Sequence, residues 1–255
     1  MTQLKIAGII PVRYASTRFP GKALVDIGGK SMLQRVIEKS AQVKGLYKLV
    51  VATDDSRIYE HVSHLGYPVV YTSVHHASGT DRCKEAMELA CPEADYIINI
   101  QGDEPFLNPQ QIESLAMACD GDKSILTQIK TCASADEILN PGEVKVVLNA
   151  ASEALYFSRS VIPSGKQGTL SDWLKQTTYY RHVGLYAYRC DVLKTIAGLP
   201  VSALEQLESL EQLRWLEAGH KIYCVVTPFE SHCIDTPEDL DRLIKAGFLQ
   251  RHGGL

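Results

Sequence analysis

The residues best equipped for chemistry in this 255-residue chain lie in one early loop, RYASTRFPGK, which carries Arg13, Ser16, Thr17, Arg18 and Lys22. Between Arg13 and Arg35 there are five Lys or Arg and a single acid, Asp26, although the whole chain has a net charge of −4. A basic island on an acidic background suits an anionic ligand. Cationic side chains and the backbone N–H groups of a small-residue loop both attract phosphate oxygens. Neither G-x-x-x-x-G-K-[ST] nor G-x-G-x-x-G after a strand occurs, so a P-loop and a dinucleotide fingerprint are both excluded.

Further along, HHASGTDR offers Ser78, Gly79 and Arg82, small, hydroxylated and cationic groups of the kind that hold a nucleotide. Its adjacent His75 and His76 point to opposite sides of an extended chain and lack a third ligand at helical spacing, which argues against a metal there. Asp103, in QGDEP, stands beyond the end of an apolar run. A carboxylate opposite a phosphate site calls for a bridging cation, and Mg²⁺ is the natural one. A turn acid before Pro105 is the plainer explanation. Asp235, in IDTPEDL, likewise doubles as a helix cap, with Thr236 and Pro237 beside it.

In the carboxyl half, alternation over 180–188 sets His182, Gly184, Tyr186 and Tyr188 on one strand face, polar and aromatic as a sugar site would be. A lone strand histidine is also commonly structural. Residues 203–218 read as one helix. Leu204, Leu207, Leu210 and Leu213 form its core stripe, and Glu208, Glu211, Gln212 and Trp215 gather on a neighbouring face.

The elements that must position these groups follow from periodicity. Apolar β-rich runs at 6–12, 48–52, 69–72 and 96–100 alternate with helix-period segments at 31–43, 56–65 and 80–90, which predicts an α/β fold with parallel strands and crossover helices. In open α/β sheets ligands bind beyond the carboxyl ends of the strands, so the loops after Val12, Ala52, Thr72 and Ile100 open on one rim. Strands expected at 124–131, 144–148, 154–157 and 180–188 come with less helix between them. The sheet then becomes mixed, in a single domain with halves at about 1–120 and 121–255.

Composition bounds the rest. With 45% hydrophobic and 22% charged residues the chain can bury a full core. No extended positive run supports nucleic-acid binding. No leader pattern and no long apolar stretch point to a membrane, so a cytoplasmic protein is expected. The seven cysteines (83, 91, 119, 132, 190, 224, 233) are odd in number and never spaced C-x-x-C, as reduced, mostly buried thiols would be.

The order of the motifs is more specific than any one of them. RYASTRFPGK, Thr53–Asp54, SGTDR, QGDEP, YFSR at 156–159, HVGLY at 182–186, LEQLR at 210–214 and DTPEDL at 235–240 together resemble the 3-deoxy-manno-octulosonate (Kdo) cytidylyltransferase family, the CMP-Kdo synthetases. The resemblance implies a nucleotide-diphospho-sugar transferase (Rossmann-like) fold and the reaction CTP + Kdo → CMP-Kdo + pyrophosphate in lipopolysaccharide biosynthesis. It implies that Arg13, Ser16, Arg18 and Lys22 bind the triphosphate, that Thr53 and Asp54 line the pocket, and that Ser78, Gly79 and Arg82 recognise cytidine. Asp103 and Asp235 would carry Mg²⁺. Arg159 would pair with the sugar carboxylate, a good match for a guanidinium fork. Gln101, His182, Tyr186, Glu211 and Gln212 would bind the sugar hydroxyls, and relatives are commonly homodimers through the carboxyl half.

No protein base for the attacking hydroxyl stands out. The chain departs from the family pattern at Val12, at Ala23 and at Ser231–His232–Cys233. Alternatives are the same reaction on the 8-amino analogue of Kdo or on another acid sugar, and a nucleotide-binding regulator without turnover.

Overall fold

The computed structural model describes residues 3–252 and divides into two compact units, one running up to Met117 and resuming at Phe229, the other Ala118–Pro228. In the first unit β1 (Ile6–Val12) is apolar and buried along nearly its whole length. Such a continuous run belongs to a parallel strand covered on both faces. It pairs in parallel with β2 (Leu46–Thr53) and with β4 (Tyr96–Asn99), while β3 (Val69–Tyr71) pairs in parallel with β2, giving the order β3-β2-β1-β4. Three crossovers carry helices: α1 (Met32–Ser40), α2 (Ser56–His64) and α3 (Gly79–Ala90). Each starts where a side chain satisfies the orphan N–H groups of its first turn. Ser31 accepts from the Gln34 amide, Asp55 from Arg57, and Ser78 from Asp81 in a reciprocal capping box. The helix α4 (Pro109–Ala118) follows β4.

The second unit is mixed, as its strand-rich sequence predicts. Strand β5 (Ile125–Thr131) runs antiparallel to β8 (Tyr180–Arg189) and parallel to β9 (Ile222–Val226), and β6 (Lys145–Leu148) is antiparallel to both β7 (Ala154–Ser158) and β8. Short helices α5 (Ala135–Leu139), α6 (Leu170–Gln176) and α7 (Cys190–Ile196) connect them. Among the described residues no helix is long and apolar enough to cross a membrane.

Three expectations are corrected. The chain beyond Phe229 does not stay with the carboxyl half. Its helix α10 (Pro237–Lys245) buries Leu240 and Leu243, with Ile234, against Ile27, Met32 and Phe106 of the first unit, which is where its apolar face is covered; α11 (Phe248–His252) follows. Residues 203–218 are not one helix but two, α8 (Ala203–Glu208) and α9 (Gln212–Glu217), broken at Ser209 in the left-handed conformation (φ 54°). The break lets Arg214 fold back onto Glu205 with two contacts of 2.7 and 2.6 Å, and it leaves Leu207 82% exposed instead of in a core stripe. Glu208 is thereby separated from Glu211 and Gln212. It caps the end of β7 instead, accepting from Ser158 Oγ at 2.6 Å and the Arg159 amide at 3.0 Å.

Strand β8 keeps its predicted face despite an irregularity. The pairing jumps from Thr127↔Tyr186 to Gln128↔Val183, so two residues of β8 are looped out. Because the side-chain period is two, the slip preserves parity, and His182, Tyr186 and Tyr188 remain neighbours, with ring centroids 5.2 and 5.7 Å apart.

Candidate functional site

The first unit holds a cleft of about 280 Å³ at the carboxyl ends of β1 and β4, lined by Arg13, Ser16, Arg18 and Lys22 from the basic loop, Ser78, Gly79 and Arg82 from the start of α3, and Gln101, Asp103 and Asp235. Ten of the predicted residues therefore meet in one cavity. Thr17, His76 and Ala77 also line it.

Apolar anchors beside each charged residue create this convergence. Phe19 follows Arg18, Phe106 lies just past Asp103, and Ile234 precedes Asp235; all three pack in the cluster of Ile27, Met32, Leu240 and Leu243. A buried apolar neighbour leaves a charged residue little freedom except at the cluster's rim. The main chain reinforces this: the Ile234 amide donates to the Asp103 carbonyl at 2.9 Å. The basic loop is closed by Gly21, whose amide donates to the Tyr14 carbonyl at 3.2 Å with φ at 71°, a conformation that favours glycine. Ser16 Oγ accepts from the Phe19 amide at 3.3 Å and turns the loop.

At the centre the Lys22 ammonium donates to Asp103 at 2.6 Å, to Asp235 at 3.0 Å and to the Ile234 carbonyl at 3.1 Å. Burial alone would lower the Lys22 pKa. The Asp103 charge and the hydrogen bonds to both carboxylates outweigh it, and the net shift is upward. Arg18 adds a more exposed contact with Asp235 at 3.0 Å. Capping does not explain either acid. Thr236 Oγ1 caps α10 by accepting from the Asp239 amide, and Asp239 accepts from the Asp235 and Thr236 amides, so the Asp235 carboxylate is left to face the cations. Next to Asp103, burial pushes the Glu104 carboxyl up to about 7; a hydrogen bond from Ser231 opposes this and the Asp103 charge adds to it.

Two carboxylates converging on one cation form a place where a divalent ion fits. The carboxylate oxygens of Asp103 and Asp235 and the Cys233 sulfur all lie within 4.8 Å of one another, the one such cluster of metal-ligating groups among the described residues. The histidines at 75 and 76 form none, and His76 pairs instead with Glu85.

Thr53 and Asp54 fall outside the cavity wall. Thr53 is fully buried, and Asp54 accepts from the Arg82 guanidinium at 2.9 Å. Arg82, itself 4% exposed, also donates to Thr72 at 2.5 Å, so its charge ties α3 to the ends of β2 and β3 while it lines the cavity. Ser78 spends its hydroxyl on the α3 cap but keeps its place in the wall. His76 and Ala77 were missed because the histidine pair was weighed only as a metal site. Their adjacency to Ser78 was the available signal.

Gly102 admits no side chain: a Cβ there would stand 2.8 Å from Val12 Cγ2. Gly102→Ala is expected to cost about 1–3 kcal/mol of unfolding free energy, because a β-branched strand residue moves only with its backbone. Denaturant unfolding checks this.

In the second unit, Arg159 donates to the carbonyls of Glu208 (2.8 Å), Pro141 (3.2 Å) and Ser209 (3.4 Å). Its guanidinium is fixed by main chain. His182 stands 2.9 Å from Thr127 Oγ1 and edge-on to Phe157, and Tyr186 is buried against Trp215. Gln212 is buried, and Glu211 is half-buried beside it.

Burial pushes the His182 imidazole down from 6.5 to about 3. Between those values the unfolded chain binds a proton that the folded chain does not, so stability is lost as pH falls below the unfolded value. From pH 7 to pH 5 the loss from this residue is about 2 kcal/mol. The difference in pH dependence of unfolding between the wild type and His182→Gln measures it.

Comparison with known proteins shows the family and the fold. A family model described as cytidylyltransferase matches residues 7–222. A protein of Parabacteroides distasonis named 3-deoxy-manno-octulosonate cytidylyltransferase is 51% identical over 94% of this chain and 97% of its own length. One of Cytophaga hutchinsonii with the same name is 48% identical over 95% and 97%. A solved structure of CMP:2-keto-3-deoxy-manno-octonic acid synthetase complexed with CTP superposes with a TM-score of 0.88 at 42% identity, over 97% of this chain and 99% of that one. The α/β fold with a mostly parallel central sheet is the fold of that structure. A 4-diphosphocytidyl-2C-methyl-D-erythritol synthase from Anaerococcus prevotii, 14% identical over 98% of this chain with a TM-score of 0.63, shares the fold alone.

Proposed function

This chain belongs to the cytidylyltransferase family, among relatives named 3-deoxy-manno-octulosonate cytidylyltransferase, and on that premise we propose that it transfers CMP from CTP to the anomeric hydroxyl of Kdo and releases pyrophosphate. The observation that carries the reading is the Lys22 ammonium held between Asp103 and Asp235 at the mouth of a basic loop. A binding module has little use for two carboxylates in a phosphate site.

In this reading Arg13, Arg18 and Lys22 draw the triphosphate into the cleft and stabilise the charge that grows on departing pyrophosphate. Fixed cations need no reorganisation as that charge develops, so positioning and electrostatics carry most of the rate. Ser16 and Gly21 hold the loop shape that presents them, while Ser78, Gly79 and Gln101 shape the wall. Asp103 and Asp235 would hold Mg²⁺, which when bound polarises phosphate oxygens and neutralises their charge. Arg159, His182, Tyr186, Glu211 and Gln212 are the groups assigned to the acid sugar. Arg159 has to exchange a carbonyl partner for the sugar carboxylate to do so.

The activated sugar serves lipopolysaccharide assembly in the cytoplasm, and the working form is a homodimer. Support for the dimer is the exposure of Leu155 and Leu207 on the second unit, at 60% and 82%.

The test is product identification. Incubation with CTP, Mg²⁺ and Kdo, 8-amino-Kdo or sialic acid in separate reactions is expected to give CMP-Kdo by mass, with the other two sugars poorer. Joining of CMP to none of them, or to sialic acid foremost, would overturn the reading.

A further inference from the structure

Beside the carboxylate pair stands a group that the proposed reaction does not use. Cys233 is an exposed, unpaired thiol, whereas Cys83, Cys91, Cys119, Cys132 and Cys224 are buried and Cys190 is half-buried. Its sulfur lies within 4.8 Å of ligand oxygens of both Asp103 and Asp235. The backbone holds this arrangement. Cys233 and Asp235 flank Ile234, whose side chain is fully buried and whose amide is bonded to the Asp103 carbonyl at 2.9 Å. Two ligands on one metal ion, each at about 2.0–2.3 Å, stand about 3–4 Å apart, so side-chain rotations on the order of 1 Å close the set.

We propose that Cys233, Asp103 and Asp235 form a mixed sulfur–oxygen site that takes a thiophilic divalent cation such as Zn²⁺, Cd²⁺ or Co²⁺ more tightly than Mg²⁺. The inference rests on the reading of Asp103 and Asp235 as a cation site and adds a third ligand to it. Hard ions bind carboxylate and water oxygens alone, whereas a thiolate selects borderline and soft ions, so the same cluster ranks metals differently with and without sulfur. Binding forms a metal–sulfur bond, breaks the S–H bond and releases that proton to solvent, while the entering cation competes with the Lys22 ammonium for both carboxylates. Trace thiophilic metal would then occupy the cleft in place of the hard ion that the transfer uses.

The test uses Co²⁺ alone on the full chain, under reducing, oxygen-free conditions. Retained metal is read by equilibrium dialysis, and thiolate ligation by the near-ultraviolet sulfur-to-cobalt charge-transfer band. The wild type is expected to retain about one Co²⁺ per chain with the band present. Cys233→Ser is expected to lose the band and to bind Co²⁺ about tenfold more weakly, with Mg²⁺ affinity little changed. Asp103→Asn is expected to weaken both metals. Co²⁺ retained without the band, or a band that survives in Cys233→Ser, overturns the thiol ligand and leaves the carboxylate site standing. No retained Co²⁺ in the wild type overturns both.

Discussion

Asp103→Asn is expected to slow CMP transfer by about 10³-fold while the protein stays folded. The amide has the carboxylate's size and still accepts a hydrogen bond from Lys22, now 2.6 Å away, so the cleft keeps its packing. What disappears is charge. The Asp103 carboxylate is the largest influence holding the Lys22 proton on against burial, and it is half of the pair assigned to the divalent cation. Removing one charge thus weakens two functions, while unfolding free energy should change by no more than about 1–2 kcal/mol. Steady-state pyrophosphate release beside denaturant unfolding separates the two. A variant that keeps a tenth or more of the wild-type rate would remove Asp103 from the reaction.

Arg214→Leu is expected to cost about 3–5 kcal/mol of stability. Arg214 and Glu205 keep only 9% and 13% of their side-chain surface exposed, and they meet in a two-pronged contact of 2.7 and 2.6 Å. A third bond runs from Arg214 to the Leu199 carbonyl at 2.9 Å. Truncating the arginine leaves the mostly buried Glu205 carboxylate with the Ser202 amide alone and removes the clasp that folds α9 back on α8. Replacing both partners, with Glu205→Leu added, should recover part of the loss, because no unpaired charge remains buried. Urea unfolding of the two variants reads the difference.

Much of the first unit was legible because its strands centre on apolar runs and its three crossover helices begin at a hydroxyl or acid cap that local sequence displays. Ser31, Asp55 and Ser78 mark helix starts by chemistry acting over three residues. The helix break at Ser209 was not legible. Apolar period through 204–213 is intact, and the ion pair between positions 205 and 214 that accompanies the break is a contact that periodicity does not display. Return of Phe229 onward to the first unit was hidden for a similar reason, since the amphipathic α10 announces a buried face but not the surface that buries it.

For the site, the charged residues at 13, 18, 22, 103 and 235 were legible in part from type and mostly from the order of motifs. Their roles as turn or cap residues were equally open on local grounds. Geometry decides between these readings at Asp235, where Thr236 and Asp239 do the capping. It also places Thr53 and Asp54 outside the cavity wall, Thr53 Oγ1 accepting from the Asp55 amide and Asp54 from Arg82, while Arg82 stays in the wall. Burial of a charge by a partner distant in sequence is what a local pattern cannot display.

On the proposed function, the basic cleft closed by Asp103 and Asp235 performs a cation-assisted transfer from CTP to Kdo. Its most direct measurement is pyrophosphate release by the wild type, with CTP and Kdo together and each alone, before and after chelation of Mg²⁺. Release that requires both substrates, stops on chelation and returns with added Mg²⁺ is the predicted result. No release with both substrates present, or release undiminished after chelation, would contradict it.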